Sequence, residues 1–273
     1  MQVALPDGYN LNVEEVGAGY PLIVLHGGPG LDHSMFRPYL DALGDEYRVL
    51  YVDERGQGRS QRVDPATLSL EVFARDVDLL AETLDLDGFV VLGHSFGAII
   101  TTYHATELGT AAAYVISAGG DSSASLEADV AAALEALGDN GKVIAQSWED
   151  EKTVETDEQF KQLLRDQLPF HFHGQAPLGY GEEAVPSPEV LRHFANAGYG
   201  DFDYGPKLKD VDRPALVIVG EYDRTTTPRA ARVLYEGIPR SELVVVPEAG
   251  HLSFVEQTDA YLSAVRNFLA RTT

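Results

Sequence analysis

Short, near-continuous apolar runs that stop at glycine-rich turns narrow the folds open to this chain more than any other feature. Tyr20 to Leu25 leads into His26-Gly27-Gly28-Pro29-Gly30, Tyr47 to Val52 into Asp53-Glu54-Arg55-Gly56-Gln57-Gly58, and Phe89 to Leu92 into Gly93-His94-Ser95-Phe96-Gly97. A strand apolar at consecutive positions is buried on both faces, as in a parallel sheet covered by helices on each side. Ala113 to Ile116, Ala215 to Val219 and Leu243 to Val246 continue the series. Between these runs Leu70, Phe73, Val77, Leu80 and Leu84 recur at helical spacing, and Ala98 to Thr106 reads as a further helix. Tyr261, Leu262, Val265, Phe268 and Leu269 give one apolar face to a closing helix over Gln257 to Arg271. The fold class is therefore α/β, a mostly parallel, doubly wound sheet.

The rhythm breaks between about Asp121 and Gly205. Buried-strand runs are absent there, and the spacing is helical at Leu126, Val130, Leu134, Leu137 and again at Phe160, Leu163, Leu164, Leu168, with Pro169, Pro177, Pro186 and Pro188 as punctuation. The expected organisation is a core of residues 1–120 and 206–273 with a helical cap, residues 121–205, inserted between two strands. A chain of 273 residues suits one core with one sizeable insertion.

Composition removes several function classes. The chain has no cysteine, so disulfide scaffolds, thiolate metal sites and a cysteine nucleophile are excluded. With 43 acidic against 20 basic residues the formal net charge is -23, which repels phosphate backbones and anionic lipid surfaces. Neither nucleic acid nor membrane is an expected partner; a small-molecule or short-peptide substrate is. The first residues carry no basic n-region or long apolar stretch, so a cytoplasmic location is the expectation. No metal-ligand constellation is visible, and neither metal nor cofactor is expected. Monomer and homo-oligomer both stay open.

Gly93-His94-Ser95-Phe96-Gly97 fits G-x-S-x-G where a strand should hand over to a helix, the context that lifts a serine hydroxyl above a sheet edge. A serine hydroxyl needs a base, and the base needs a carboxylate to fix its tautomer. The run Ala215 to Val219 ends in Gly220-Glu221-Tyr222-Asp223, and Leu243 to Val246 ends in Pro247-Glu248-Ala249-Gly250-His251. The order serine, acid, histidine assigns Ser95 as nucleophile, Asp223 as orienting acid and His251 as base, with Glu221 as the competing acid. His94 is expected to point elsewhere on its tight turn. The oxyanion donors are expected from the N–H of Phe96 and an N–H of the Gly27-Gly28 loop, with His26 bracing that loop.

Together, His26-Gly27-Gly28-Pro29-Gly30, Asp53-Glu54-Arg55-Gly56-Gln57-Gly58-Arg59-Ser60 and the Gly93 to Gly97 turn resemble the proline iminopeptidase branch of the α/β-hydrolase fold superfamily. The resemblance implies an α/β-hydrolase fold and a metal-free aminopeptidase that binds a free amine through acidic cap residues. Trp148-Glu149 resembles a cap segment of that family, while the elbow carries Phe96 where the family has tryptophan. No glutamate stands between Arg165 and Phe172, where the family places one, so Asp166, Glu182 or Glu183 are the candidates for the amine, with His171 lining the pocket. An esterase or lactonase would use the same three catalytic residues, and a non-catalytic binding protein could be built on the same scaffold.

Overall fold

A computed structural model describes all 273 residues. Eight strands form one sheet: β1 (Gln2–Ala4), β2 (Asn10–Val16), β3 (Tyr20–Leu25), β4 (Tyr47–Asp53), β5 (Val90–His94), β6 (Ala113–Ser117), β7 (Ala215–Gly220) and β8 (Ser241–Val246). Their order is β1-β2-β4-β3-β5-β6-β7-β8, with β1–β2 and β2–β4 antiparallel and every other pair parallel. The antiparallel β1 and β2 were not legible as strands: Asn10, Asn12, Glu14 and Glu15 interrupt any apolar run. At the opposite end β8 is half-exposed, because the last strand of a sheet has a neighbour on one side only.

Alternation along the strands sorts the core into two layers. Ile23, Leu25, Val91, Ile116 and Val217 face α1 (Leu70–Thr83), α2 (Phe96–Glu107) and, later in the chain, the helix over Pro228–Gly237. Leu22, Val24, Leu92, Val115 and Ile218 face the closing helix over Thr258–Thr272, through Tyr261, Val265 and Phe268. Ser69 caps α1 by accepting from the Val72 N–H, which fixes where that helix starts.

Between β6 and β7 lie α3 (Ser123–Ala136), α4 (Asp139–Glu151), α5 (Asp157–His171) and α6 (Pro188–Asn196). Helix α5 opens with a capping box of Thr156 and Gln159, and Pro169 sits inside its last turn rather than ending it. After β7 come α7 (Pro228–Gly237), α8 (Ser253–Glu256) and α9 (Thr258–Thr272). No helix is long and apolar enough to cross a membrane. All the parallel strands point their C-terminal ends toward the α3–α6 helices, so the turns after β3, β5, β7 and β8 meet under them.

Leu80 of α1 is fully buried in the first layer. Leu80→Ala is expected to lower unfolding free energy by about 2–5 kcal/mol, seen as a lower urea midpoint at unchanged slope.

Candidate active site

At the β5–α2 junction Ser95 adopts φ 56°, ψ -115°, a conformation a serine holds only under constraint. Its N–H donates to the Ser117 carbonyl of β6 (3.0 Å), and its own carbonyl starts α2 by accepting from Ala98 and Ile99. The two flanking glycines are required by close approach: a Cβ on Gly97 would lie 2.4 Å from the Leu25 carbonyl oxygen, and one on Gly93 would lie 2.0 Å from that of Gly97. Helix α2 thus starts hard against β3, and its N-terminal dipole points at the Ser95 turn.

Asp223 and His251 come from the turns after β7 and β8. His251 Nδ1 lies 2.8 Å from Asp223 Oδ2, and both residues are buried. Asp223 Oδ1 accepts from the N–H groups of Thr225 (2.8 Å) and Thr226 (3.0 Å), and the Thr226 hydroxyl donates to Oδ2 (2.8 Å). Burial pushes the Asp223 pKa up, but His251 and these donors outweigh it and hold the acid below the usual carboxylate range. Glu221, the competing acid, accepts instead from the Glu248 N–H and is exposed. Ser95 and His251 line one cavity of about 740 Å³.

Of the two expected loop donors, the Gly27 N–H is taken by Met35 Sδ (3.1 Å), which leaves Gly28. The Phe96 N–H is the first of α2 and has no carbonyl one turn back to reach. Gly27, Gly28 and Phe96 all line the cavity beside Ser95. His26 braces this loop as expected: Nδ1 contacts the Gly27 carbonyl (2.7 Å) and Nε2 accepts from the Glu54 N–H (3.3 Å). Gln57 adds a second brace, accepting from the Gly30 N–H (2.5 Å) and donating to buried Glu54 (3.0 Å), whose pKa burial raises well above the carboxylate range. Asp32, His33 and Asp53 cluster nearby, but their lone pairs already meet protein donors, including His33 Nδ1 on Asp53 (2.6 Å), the Arg59 N–H on Asp53 (2.8 Å) and the Arg59 guanidinium on Asp32.

One histidine assignment changes in the structure, while His171 lines the cavity as expected. His94 does not point elsewhere: it lines the cavity with its ring 4.8 Å from that of His251. His171 packs on the other side, 5.2 Å from His251, and its carbonyl accepts the His251 N–H (2.7 Å). Burial, aided by the neighbouring His251, drives the His171 pKa down to about 3 and lowers that of His94 as well, so His251 sits between two neutral rings.

The α3–α6 helices cover the cavity, and here the sequence expectations separate. Trp148 lines it, edge-on to Phe170 at 4.9 Å, as does Glu149, whose carboxylate turns to Lys152 (2.8 Å). Asp166, Glu182 and Glu183 do not line it. Asp166 lies on the solvent face of α5, accepting from Gln162 one turn back (2.8 Å), and the exposed Glu182 pairs with Arg165 (3.4 Å). Four acids line the cavity, Asp32, Glu127, Glu149 and Glu151; among those of the α3–α6 helices only Glu151, 4% exposed, is buried, and it is not among the acids named from the sequence. It accepts from Gln167 Nε2 (2.6 Å) and from the Tyr199 hydroxyl, and burial outweighs both bonds in raising its pKa to about 7. A signal existed: Ile144, Ser147, Trp148 and Glu151 follow the i, i+3, i+4, i+7 spacing of one helix face.

Residues 20–258 match the family model described as the alpha/beta hydrolase fold. The chain is 26% identical to a proline iminopeptidase of Saccharolobus solfataricus over 96% of this chain and 94% of that one. It is 25% identical to a pimeloyl-[acyl-carrier protein] methyl ester esterase of Legionella pneumophila, over 95% and 99%. Among solved structures, a proline iminopeptidase-related protein of Thermus thermophilus superposes with a TM-score of 0.77 at 29% identity, over 100% and 97%.

Because His171 is neutral in the folded chain and free to charge in the unfolded one, the unfolded state binds more protons between its ordinary pKa of 6.5 and about 3. Stability should therefore fall as pH drops through that window, by up to about 1.4 kcal/mol per pH unit for one such group. His171→Phe is expected to flatten the decline, read from urea midpoints at pH 7, 5 and 4.

Proposed function

This chain belongs to the alpha/beta hydrolase fold family, and we propose that it is a serine hydrolase related to the proline iminopeptidases, cleaving N-terminal residues from small peptides or amides through an acyl-enzyme. The observation carrying the proposal is one cavity, onto which the strained Ser95 turn, the His251–Asp223 pair and the buried acid Glu151 all open.

In this reading Ser95 Oγ attacks the scissile carbonyl and its proton passes to His251 Nε2. Asp223 fixes the imidazole through Nδ1 and stabilises the imidazolium. The negative charge forming on the carbonyl oxygen meets the N–H groups of Phe96 and Gly28, aligned before the reaction begins and backed by the dipole of α2. Collapse breaks the C–N bond, and His251 gives its proton to the departing amine. Water, deprotonated by His251, then cleaves the Ser95 ester and releases the acid. Residues 121–205 act as a cap over a core of 1–120 and 206–273.

Glu151 takes the place in this scheme that Asp166, Glu182 or Glu183 had been expected to fill. As a carboxylate it accepts a charge-assisted hydrogen bond from the substrate's ammonium, and the net charge of -23 favours the approach of a cationic substrate. An esterase acting through the same residues is the second reading. It is favoured by the apolar character of the α3 and α5 faces that line the cavity, Leu126, Val130, Leu163 and Leu164 among them.

Prolyl and alanyl arylamides with free amines, their N-acylated counterparts and short-chain aryl esters, assayed in parallel against Ser95→Ala, test the proposal. Preference for the free-amine arylamides is expected; rapid ester cleavage with no arylamidase activity would replace the aminopeptidase reading by the esterase one. Ser95→Ala and His251→Ala should each lose roughly 10⁴- to 10⁶-fold in kcat, and Asp223→Asn about 10⁴-fold. Full turnover in His251→Ala would overturn the assignment. Glu151→Gln should raise KM for free-amine substrates by roughly 10- to 100-fold and leave blocked substrates less affected. Since Glu151 is anionic only above about pH 7, the KM ratio of free-amine to blocked substrate should climb as pH falls through that value, and lose this dependence in Glu151→Gln.

A further inference from the structure

Behind the Gly27-Gly28 loop stands a buried acid that the catalytic scheme leaves unused. His26 is fully buried, and its Nδ1 lies 2.7 Å from the Gly27 carbonyl oxygen. A carbonyl oxygen only accepts, so Nδ1 carries the ring proton and Nε2 presents a lone pair. The Glu54 N–H points at that lone pair (3.3 Å), a contact that a neutral ring makes and an imidazolium does not. Glu54 Oε2 lies 3.3 Å from the same Nε2. Two atoms that both hold lone pairs attract at that distance only when one bears a proton, and the ring's proton is already on Nδ1. The proton between them therefore sits on Glu54.

The rest of the carboxyl group agrees. Oε2 accepts from Gln57 Nε2 (3.0 Å), whereas Oε1 is buried without a protein donor. A carboxylate oxygen left in that state costs far more than the carbonyl oxygen of a neutral acid. Neighbouring charges act in the same direction: Asp53 precedes Glu54, and Asp76 faces it from α1. Arg55, the adjacent cation, is spent on Asp76 (2.8 and 2.5 Å) and Asp7 (2.5 Å), while Asp32 and His33 of the turn after β3 are held by Arg59 and Asp53. The consequence for the loop follows from one peptide group. The carbonyl that His26 holds is bonded to the Gly28 nitrogen, so fixing the Gly27 oxygen fixes the direction of the Gly28 N–H. That N–H donates to no protein acceptor, and the loop runs beside the serine, where a Cβ on Gly27 would lie 3.2 Å from the Ser95 Cβ. Each bond in the row polarises the next, from the Glu54 hydroxyl through the His26 ring to the Gly27–Gly28 amide.

We propose that Glu54 is a positioning residue for the reaction: as a neutral acid it donates to His26 Nε2, keeps that ring's proton on Nδ1, and so aims the Gly28 N–H at the oxygen that becomes negative when Ser95 attacks. The role rests on the serine mechanism above but not on whether an amide or an ester is cleaved. Ionised Glu54 would turn the contact around. His26 would then donate from Nε2, a bare Nδ1 would face the Gly27 carbonyl oxygen at 2.7 Å, and the peptide would lose its brace.

The test begins with the wild type, labelled with ¹³C-glutamate and ¹⁵N-histidine. At pH 7 the Glu54 carboxyl carbon, identified by its absence from Glu54→Gln, should have the chemical shift of a neutral acid, and His26 should carry its proton on Nδ1. A Glu54 carboxylate, or His26 protonated on Nε2, overturns the proposal whether or not any variant folds. The second arm is hydrolysis of p-nitrophenyl acetate by the wild type, Glu54→Met, Glu54→Leu, Glu54→Gln and Ser95→Ala. Glu54→Met and Glu54→Leu offer His26 no donor; each should lose at least about tenfold in kcat, set against roughly 10²- to 10³-fold for removing an oxyanion donor outright. Their KM should stay within about threefold, because the lost interaction belongs to the transition state. Glu54→Gln keeps an N–H for His26, gives up the bond from Gln57, and should recover most of the loss. Wild-type kcat in Glu54→Met, or equal losses in Glu54→Met and Glu54→Gln, would overturn the positioning role while Ser95-dependent turnover leaves the serine mechanism standing. Full turnover in Ser95→Ala would instead remove the mechanism, and the proposal with it.

Discussion

The approach of α2 to the end of β3 is the contact on which the remaining geometry depends. With no side chain at Gly97, the first turn of the helix lies against the Leu25 and His26 carbonyls, and this forces Ser95 into its positive-φ turn. The same contact sets the Phe96 N–H beside the His26-Gly27-Gly28 loop, so the Ser95 turn and that loop are fixed by one packing event. Strain of roughly 1–3 kcal/mol at such a residue persists only where its surroundings over-determine it. Here the constraint comes from the Ser117 carbonyl on one side and the β3 backbone on the other.

His251 is tied down from the opposite direction. Glu256 of α8 accepts from the Gly250 N–H (2.6 Å) and from the Gly174 N–H just beyond α5 (2.8 Å), while the His171 carbonyl accepts from His251 itself. His173 stacks on Tyr222 at 3.9 Å, next to Asp223. The end of α5 and the turns after β7 and β8 are therefore one packed unit, and the helices over the cavity are not independent of the residues beneath them. Such coupling makes the position of His251 depend on how α5 is seated.

Much of the candidate site's geometry was legible because strand ends are marked by apolar runs meeting glycine. Ser95, His251 and the Gly27-Gly28 loop, named on that signal, line one cavity, and Asp223 pairs with His251. The cavity lining was less legible. Asp166, Glu182 and Glu183 stand out by charge, and charge does not reveal which face of a helix points inward. Glu151 carries the subtler signal of sharing a helix face with Ile144 and Trp148. Nor does spacing encode the loop fold that brings the Met35 sulfur to the Gly27 N–H.

The sequence by itself determined the parallel sheet, its alternating helices and the residue types at the strand ends, because a strand buried on both faces must be apolar throughout and a sharp turn must be small. Tertiary structure alone decided the rest: the antiparallel β1 and β2, the edge position of β8, the neutral rings on both sides of His251, and the burial of Glu151 in the cavity wall. Each of these is set by contacts between segments far apart in the chain, and local pattern carries no record of which partner a face will meet.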